Sequence, residues 1–270
     1  MHSRIANVNG IELAYAIEGH GPPLVLIHGL ACGRRMWFHQ IRALRETFTV
    51  ITYDQRGHGL STAPKNHQHY SGALLTEDLL GLLDYLGIDS CRLVGFSLGG
   101  GPALGVAISK PEKVSGLVLA GVGSGAENVT LIPSIVRRWV SLANRQGMQS
   151  LADEMLRAEF FKTYATRSAR NRRYMGALIK STPLHGLVFT LSEVLGKRRS
   201  VFRMAAGLKL IQARTLVLRG ERDNVCRASS KILAVTIPYA RQAVIPQAGH
   251  MAPLEAPGNF NAALISFLTP

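Results

Sequence analysis

The stretch Arg92-Leu93-Val94-Gly95-Phe96-Ser97-Leu98-Gly99-Gly100 decides the fold. Its first half is a short apolar run that reads as a buried strand. Beyond it, Ala103–Ile108 reads as a helix stopped at Lys110-Pro111. Between the two lies Gly95-Phe96-Ser97-Leu98-Gly99, a G-x-S-x-G pattern that sets a serine on a tight strand-to-helix turn. The glycines on either side leave room for that turn. The helix N-terminus favours negative charge at the reacting centre. Composition alone would produce this pattern about 0.2 times in such a chain, so the flanking strand and helix carry the reading.

A serine hydroxyl is a poor nucleophile without a base. Of nine histidines, His250 in Ala248-Gly249-His250-Met251 lies between the last strand and the last helix and is the best placed. His2, His20, His67 and His69 fall in polar loops, His39 on a solvent-facing helix, and His185 in a helical insertion. The base in turn needs an acid to hold its tautomer and stabilise the imidazolium. Asp223, in Arg219-Gly220-Glu221-Arg222-Asp223 after the strand Thr215–Leu218, is that candidate, with Glu221 as its neighbouring competitor.

Working outward, Asn9-Gly10 joins the strand-like runs Arg4–Val8 and Ile11–Glu18, a strong short hairpin pattern. Leu24–Ile27, Phe48–Tyr53, Gly116–Ala120 and Ala243–Ile245 are further apolar runs, short and continuous as in strands buried on both faces of a parallel sheet. Leu74, Leu75, Leu79, Leu82, Leu83 and Leu86 recur at helical spacing and Gly87 closes that helix, while Lys231–Ile237 and Phe260–Phe267 are later helices. A hairpin followed by alternating strands and helices predicts one α/β unit of eight strands, mostly parallel, with helices on both faces. The alternation breaks at about 127–207, which reads as a helical insertion after the sixth strand; 1–126 and 208–270 form the core. The insertion holds 14 Lys or Arg and 5 Asp or Glu, most of the chain's net charge of +14.

Length and composition set the limits. The chain has 270 residues, 47% hydrophobic and 18% charged, so it can bury a core and is not a disordered chain. Its mean hydropathy is +0.12, and no stretch reaches the ~18 apolar residues of a membrane span. The polar start carries no secretory pattern. Cys32, Cys91 and Cys226 are far apart, which argues against a disulfide framework or zinc site and for a reducing, cytoplasmic setting. Each is expected to be a small buried hydrophobe. The basic balance invites a nucleic-acid reading, yet no basic stripe is interleaved with stacking aromatics, so no nucleic-acid partner is expected.

Taken together, His28-Gly29, Asp54-Gln55-Arg56-Gly57-His58-Gly59-Leu60-Ser61, Gly95–Gly100, Gly220…Asp223 and Gly249-His250 resemble an α/β-hydrolase fold enzyme over nearly the whole chain. The order Ser97…Asp223…His250 is the one that architecture uses. The resemblance implies Ser97, Asp223 and His250 as catalytic residues and the backbone amides of Leu30 and Leu98 as the oxyanion hole. His28 and the loop 54–61 would be architectural, and 127–207 a cap over the nucleophile. Gly121-Val122-Gly123-Ser124-Gly125 lacks dinucleotide-binding spacing and reads as a loop into that cap. No acid after the sixth strand is well placed, Glu127 being too far along. Small cofactor-free esterases, enol-lactonases, C–C bond hydrolases and perhydrolases are the nearest branches. The expected activity is therefore hydrolysis of a small ester or lactone without metal or cofactor; a C–C hydrolase, a perhydrolase and a ligand-binding receptor are the alternatives. Phe96, Arg34 and Arg35 are candidate substrate contacts, the arginines for a carboxylate, whose geometry suits a guanidinium.

Overall fold

A computed structural model describes residues 2–123 and 130–269. Ser124, Gly125, Glu127 and the predicted start of the insertion lie outside the described residues.

Eight strands form one sheet: β1 (Arg4–Val8), β2 (Ile11–Glu18), β3 (Pro23–Ile27), β4 (Thr49–Tyr53), β5 (Cys91–Phe96), β6 (Val114–Ala120), β7 (Thr215–Gly220) and β8 (Ala240–Ile245). Their order is β1-β2-β4-β3-β5-β6-β7-β8. The pairs β1–β2 and β2–β4 are antiparallel and the rest are parallel. In the central strands the continuous apolar runs have a simple cause: successive side chains point to opposite faces, and both faces are covered, whereas the edge strand β8, expected to be buried on both faces, leaves Val244 exposed. Leu24 and Leu26 of β3 pack with Val94, Val118 and Leu216 on one side. Val25 and Ile27 pack with Leu93, Leu117 and Val217 on the other.

The first face is covered by α1 (Phe38–Leu44) and by the C-terminal helix Pro257–Leu268, through Ile41, Leu44, Phe260 and Leu264. The second carries α2 (Gly72–Tyr85), α3 (Gly100–Ser109) and Arg227–Thr236, through Leu79, Leu82, Leu83, Ala103, Leu104 and Leu233. Ser71 caps α2 by accepting the Leu74 amide at 3.1 Å, and Gly87, at φ 65°, ends it. Arg56, in the loop after β4, meets Asp78 of α2 with two nitrogens at 2.8 and 2.7 Å, both side chains buried, which ties that loop to the helix layer.

Between β6 and β7 the described residues hold helices and no strand. These are α4 (Leu131–Met155), α5 (Glu159–Ala165), α6 (Ala169–Lys180), α7 (Leu184–Phe189), a π-helical turn Thr190–Leu195, and α8 (Ala205–Leu208). Gly147, at φ 75°, kinks α4. Trp139, Met155, Phe161, Met175 and Leu187 bury against the same core as Phe96 and Met251, so these helices sit over the end of β5. After β7 come α9 (Arg227–Thr236), α10 (Ala252–Glu255) and α11 (Pro257–Leu268).

Candidate active site

Ser97 sits where β5 turns into α3, with φ at 51°, a conformation a non-glycine residue holds only when its surroundings enforce it. The two glycines of the pattern make the turn possible. A Cβ at Gly95 would lie 2.7 Å from the Gly99 carbonyl oxygen, and one at Gly99 would fall on the Ile27 carbonyl oxygen.

The structure brings the three predicted side chains into one line. His250 Nε2 lies 3.0 Å from Ser97 Oγ. On the other side of the ring, Nδ1 lies 2.8 Å from Asp223 Oδ2. Asp223 and His250 are both buried. Nδ1 beside a carboxylate is the donor nitrogen, which leaves Nε2 to accept from the serine hydroxyl. Glu221 goes elsewhere: its carboxylate accepts the Gln247 amide at 2.8 Å.

Cys226 completes the wall behind that line. Its sulfur is 3.7 Å from His250 Nδ1 and 3.3 Å from the Gly121 carbonyl oxygen. Asp223, Cys226 and His250 each offer a ligand atom within 4.8 Å of the others. Burial and the neighbouring Asp223 push the Cys226 thiol well above its ordinary pKa, and both His250 nitrogens are engaged, so the set stands as a hydrogen-bonded cluster with its thiol protonated.

Leu30 and Leu98 border the same small space as Ser97 and His250. The loop bearing Leu30 is held by His28. His28 Nε2 accepts the Gln55 amide at 2.9 Å, so the proton is assigned to Nδ1, which donates to the Gly29 carbonyl at 2.7 Å. Desolvation lowers the pKa of His28 and keeps it neutral for this pairing.

Two cavities meet at Ser97, Leu98 and Arg198. One, of about 30 Å³, is walled by Phe96, Trp139, Phe160, Phe161 and His250. The other, of about 550 Å³, runs between α2, α3 and the segment 193–204, with Tyr70, Leu75, Pro102 and Val194 as apolar lining, Lys197, Arg198 and Arg199 as cations, and Glu193, 2.5 Å from Lys197, as an anion. The Phe96 ring lies tilted beside His250, ring centroids 5.3 Å apart. Arg34 is not at the site: it is buried, its guanidinium pairs with Asp54, and its amide donates to the same carboxylate at 2.6 Å. Arg35 borders a different groove, with Phe38, Tyr164 and Tyr174. Sequence spacing did not single out Phe160, Cys226, Arg198 or Glu255 for this site. Of these, Glu255, five residues after His250, is near enough in sequence for a local reading to reach it.

The sequence matches the alpha/beta hydrolase fold family over residues 22–257, and the chain belongs to that family; it is an α/β-hydrolase enzyme. Among solved structures it is similar to the enol-lactonase from Burkholderia xenovorans LB400, at 28% identity and TM-score 0.87, covering 99% of this chain and 100% of that one. It is also similar to a thermophilic esterase from Thermogutta terrifontis with malate bound, at 27% identity and TM-score 0.86, covering 99% and 98%. Among curated proteins it is 30% identical over 254 residues to the dihydrolipoyllysine-residue acetyltransferase component of the acetoin cleaving system of Pseudomonas putida. That match covers 92% of this chain and 64% of the relative, so the chain spans under two thirds of that protein's length. Among the described residues no helix is long and apolar enough to cross a membrane.

Proposed function

We propose that this protein is a serine hydrolase that cleaves a small-molecule carboxylic ester or lactone through an acyl-enzyme on Ser97. The observation that carries the reading is the line from Ser97 Oγ through His250 to Asp223, at 3.0 and 2.8 Å, beside a cavity of about 550 Å³. His250 takes the proton as Ser97 attacks the carbonyl, and Asp223 stabilises the imidazolium. The Leu30 and Leu98 amides receive the oxyanion, a contribution of roughly 3–4 kcal/mol per donor. His250 then hands its proton to the leaving oxygen, and in the second half-reaction deprotonates the water that releases the acid. The likeness to an enol-lactonase and an esterase supports this bond class.

The helical segment 127–207 acts as the cap in this reading, shaping the substrate space with Trp139, Phe160 and Val194. Its cations on the cavity wall favour substrates that bear a carboxylate. Three free, buried cysteines suit a cytoplasmic setting.

The decisive experiment is Ser97→Ala assayed on short-chain esters and lactones. Turnover is expected to vanish while the circular dichroism and melting profile persist, and a phosphonate probe is expected to label wild-type Ser97 and no other serine. A folded Ser97→Ala protein within tenfold of wild-type activity overturns the reading.

A further inference from the structure

Glu255 is a buried carboxylate that the line of Ser97, His250 and Asp223 does not use. It ends α10, and its side chain is fully enclosed. Oε2 accepts the Gly249 amide at 2.7 Å and Oε1 accepts the Met251 amide at 3.1 Å. Those two residues flank His250, so a single carboxylate grips the backbone on both sides of the base. A buried carboxylate is costly unless it is paired and hydrogen-bonded. Desolvation pushes its pKa up, and the two amides and Arg167 work against that.

Arg167 follows α5. It lies 3.3 Å from Glu255 Oε2, donates to the Glu255 carbonyl, and donates to the Gln247 carbonyl at 3.2 Å. Two residues of α5 touch the same loop. The Phe160 ring stands edge-on to His250 with centroids 5.2 Å apart. A Cβ on Gly249 would meet Thr163 Oγ1 at 2.8 Å, so this glycine is what lets the helix approach. Ring, backbone and carboxylate of the His250 loop are thus each in contact with one short segment of the helical insertion.

We propose that Glu255 is a positioning residue for His250, and that Arg167 makes the seating of that base depend on where α5 is docked. The proposal rests on the reading of His250 as the base. Without the carboxylate, the amides of Gly249 and Met251 lose their acceptor, and the peptide units that aim the ring are free to turn. A base displaced by a fraction of an ångström loses the alignment on which proton transfer depends. Arg167 is about a third exposed, so water replaces part of what it supplies and its loss is the milder one.

The test compares Glu255→Ala, Glu255→Gln and Arg167→Met with wild type. Active sites are counted by phosphonate titration, so that misfolded protein is not mistaken for slow protein. In Glu255→Ala, kcat per active site is expected to fall between about tenfold and a hundredfold with KM within about twofold. Glu255→Gln keeps one acceptor oxygen and recovers part of the loss. Arg167→Met falls in the same direction by less, and adding it to Glu255→Ala costs less than it does in wild type, because one of its contacts runs through the carboxylate that Glu255→Ala has already removed. A second readout needs no turnover: the downfield proton of the His250–Asp223 hydrogen bond, seen by NMR in resting protein, exchanges with water faster in Glu255→Ala. A lowered melting temperature with kcat per site and the proton signal unchanged overturns the proposal and leaves Glu255 a structural residue. If Ser97→Ala retains activity, the functional reading fails, and the NMR signal still judges the positioning role by itself.

Discussion

At the scale of single residues, Asp223 and Glu221 differ in what each carboxylate touches. Asp223 meets His250 Nδ1 at 2.8 Å in a buried site, while Glu221 holds a loop amide at the surface. Asn at 223 offers no negative charge to an imidazolium and favours the wrong tautomer. Asp223→Asn is therefore expected to lower kcat by about 10⁴. Glu221→Gln keeps an acceptor for Gln247 and is expected to stay within about threefold, a surface change of a few tenths of a kcal/mol. Steady-state kinetics on one ester ranks them, and the reverse order moves the acid to Glu221.

At the scale of elements, the loops after β3 and β4 are locked together by neutral histidines. His28 and His58 are buried with ring centroids 5.0 Å apart. Desolvation, with the facing His28, lowers His58 to about 3 from an ordinary value of 6.5. The folded loop therefore refuses a proton that the unfolded chain accepts below pH 6.5, and stability falls with pH from there down to about 3. His58 alone accounts for about 2 kcal/mol between pH 7 and pH 5. Urea unfolding across that window is expected to show a shallower pH slope in His58→Gln than in wild type; equal slopes refute the linkage. These loops, and the strands before them, were legible in the sequence because apolar runs and Gly-rich turns are local patterns. The start of α3 was less so: the helix begins at Gly100, where glycines hide helical spacing. Arg34 was misjudged because its partner, Asp54, comes from another loop after another strand. The contacts of Phe160 and Arg167 with the His250 loop are hidden from sequence for the same reason, spanning about ninety residues of chain.

At the scale of the molecule, the charge is lopsided. The chain carries +14, and Arg198 and Arg199 stand on the larger cavity beside Ser97, where Lys197 is paired with Glu193. A positive rim of this kind concentrates anions near the mouth and weakens as salt shortens the screening length to about 8 Å. An ester bearing a remote carboxylate is therefore expected to show a higher kcat/KM than its neutral isostere at low ionic strength, with the gap narrowing as salt rises. Equal values at low salt would leave the basic segment a property of the surface alone.

The two cavities at Ser97 are unequal, and His250 borders only the smaller. The smaller space, about 30 Å³ against about 550 Å³, is much the tighter of the two. On the acyl-enzyme route, the acyl chain occupies the roomy side, and the incoming nucleophile must be deprotonated by His250 in the cramped one. Partitioning between hydrolysis and acyl transfer then becomes a sieve by nucleophile size. With alcohols added to the assay at equal concentration, methanol is expected to divert acyl groups into ester, ethanol less, and isopropanol almost none. Replacing Phe160 by alanine, which opens that wall, is expected to let the bulkier alcohols in; an order left unchanged in Phe160→Ala would mean that the space does not select. A wall of aromatic side chains would then decide how much of each acyl group ends as free acid and how much is passed on.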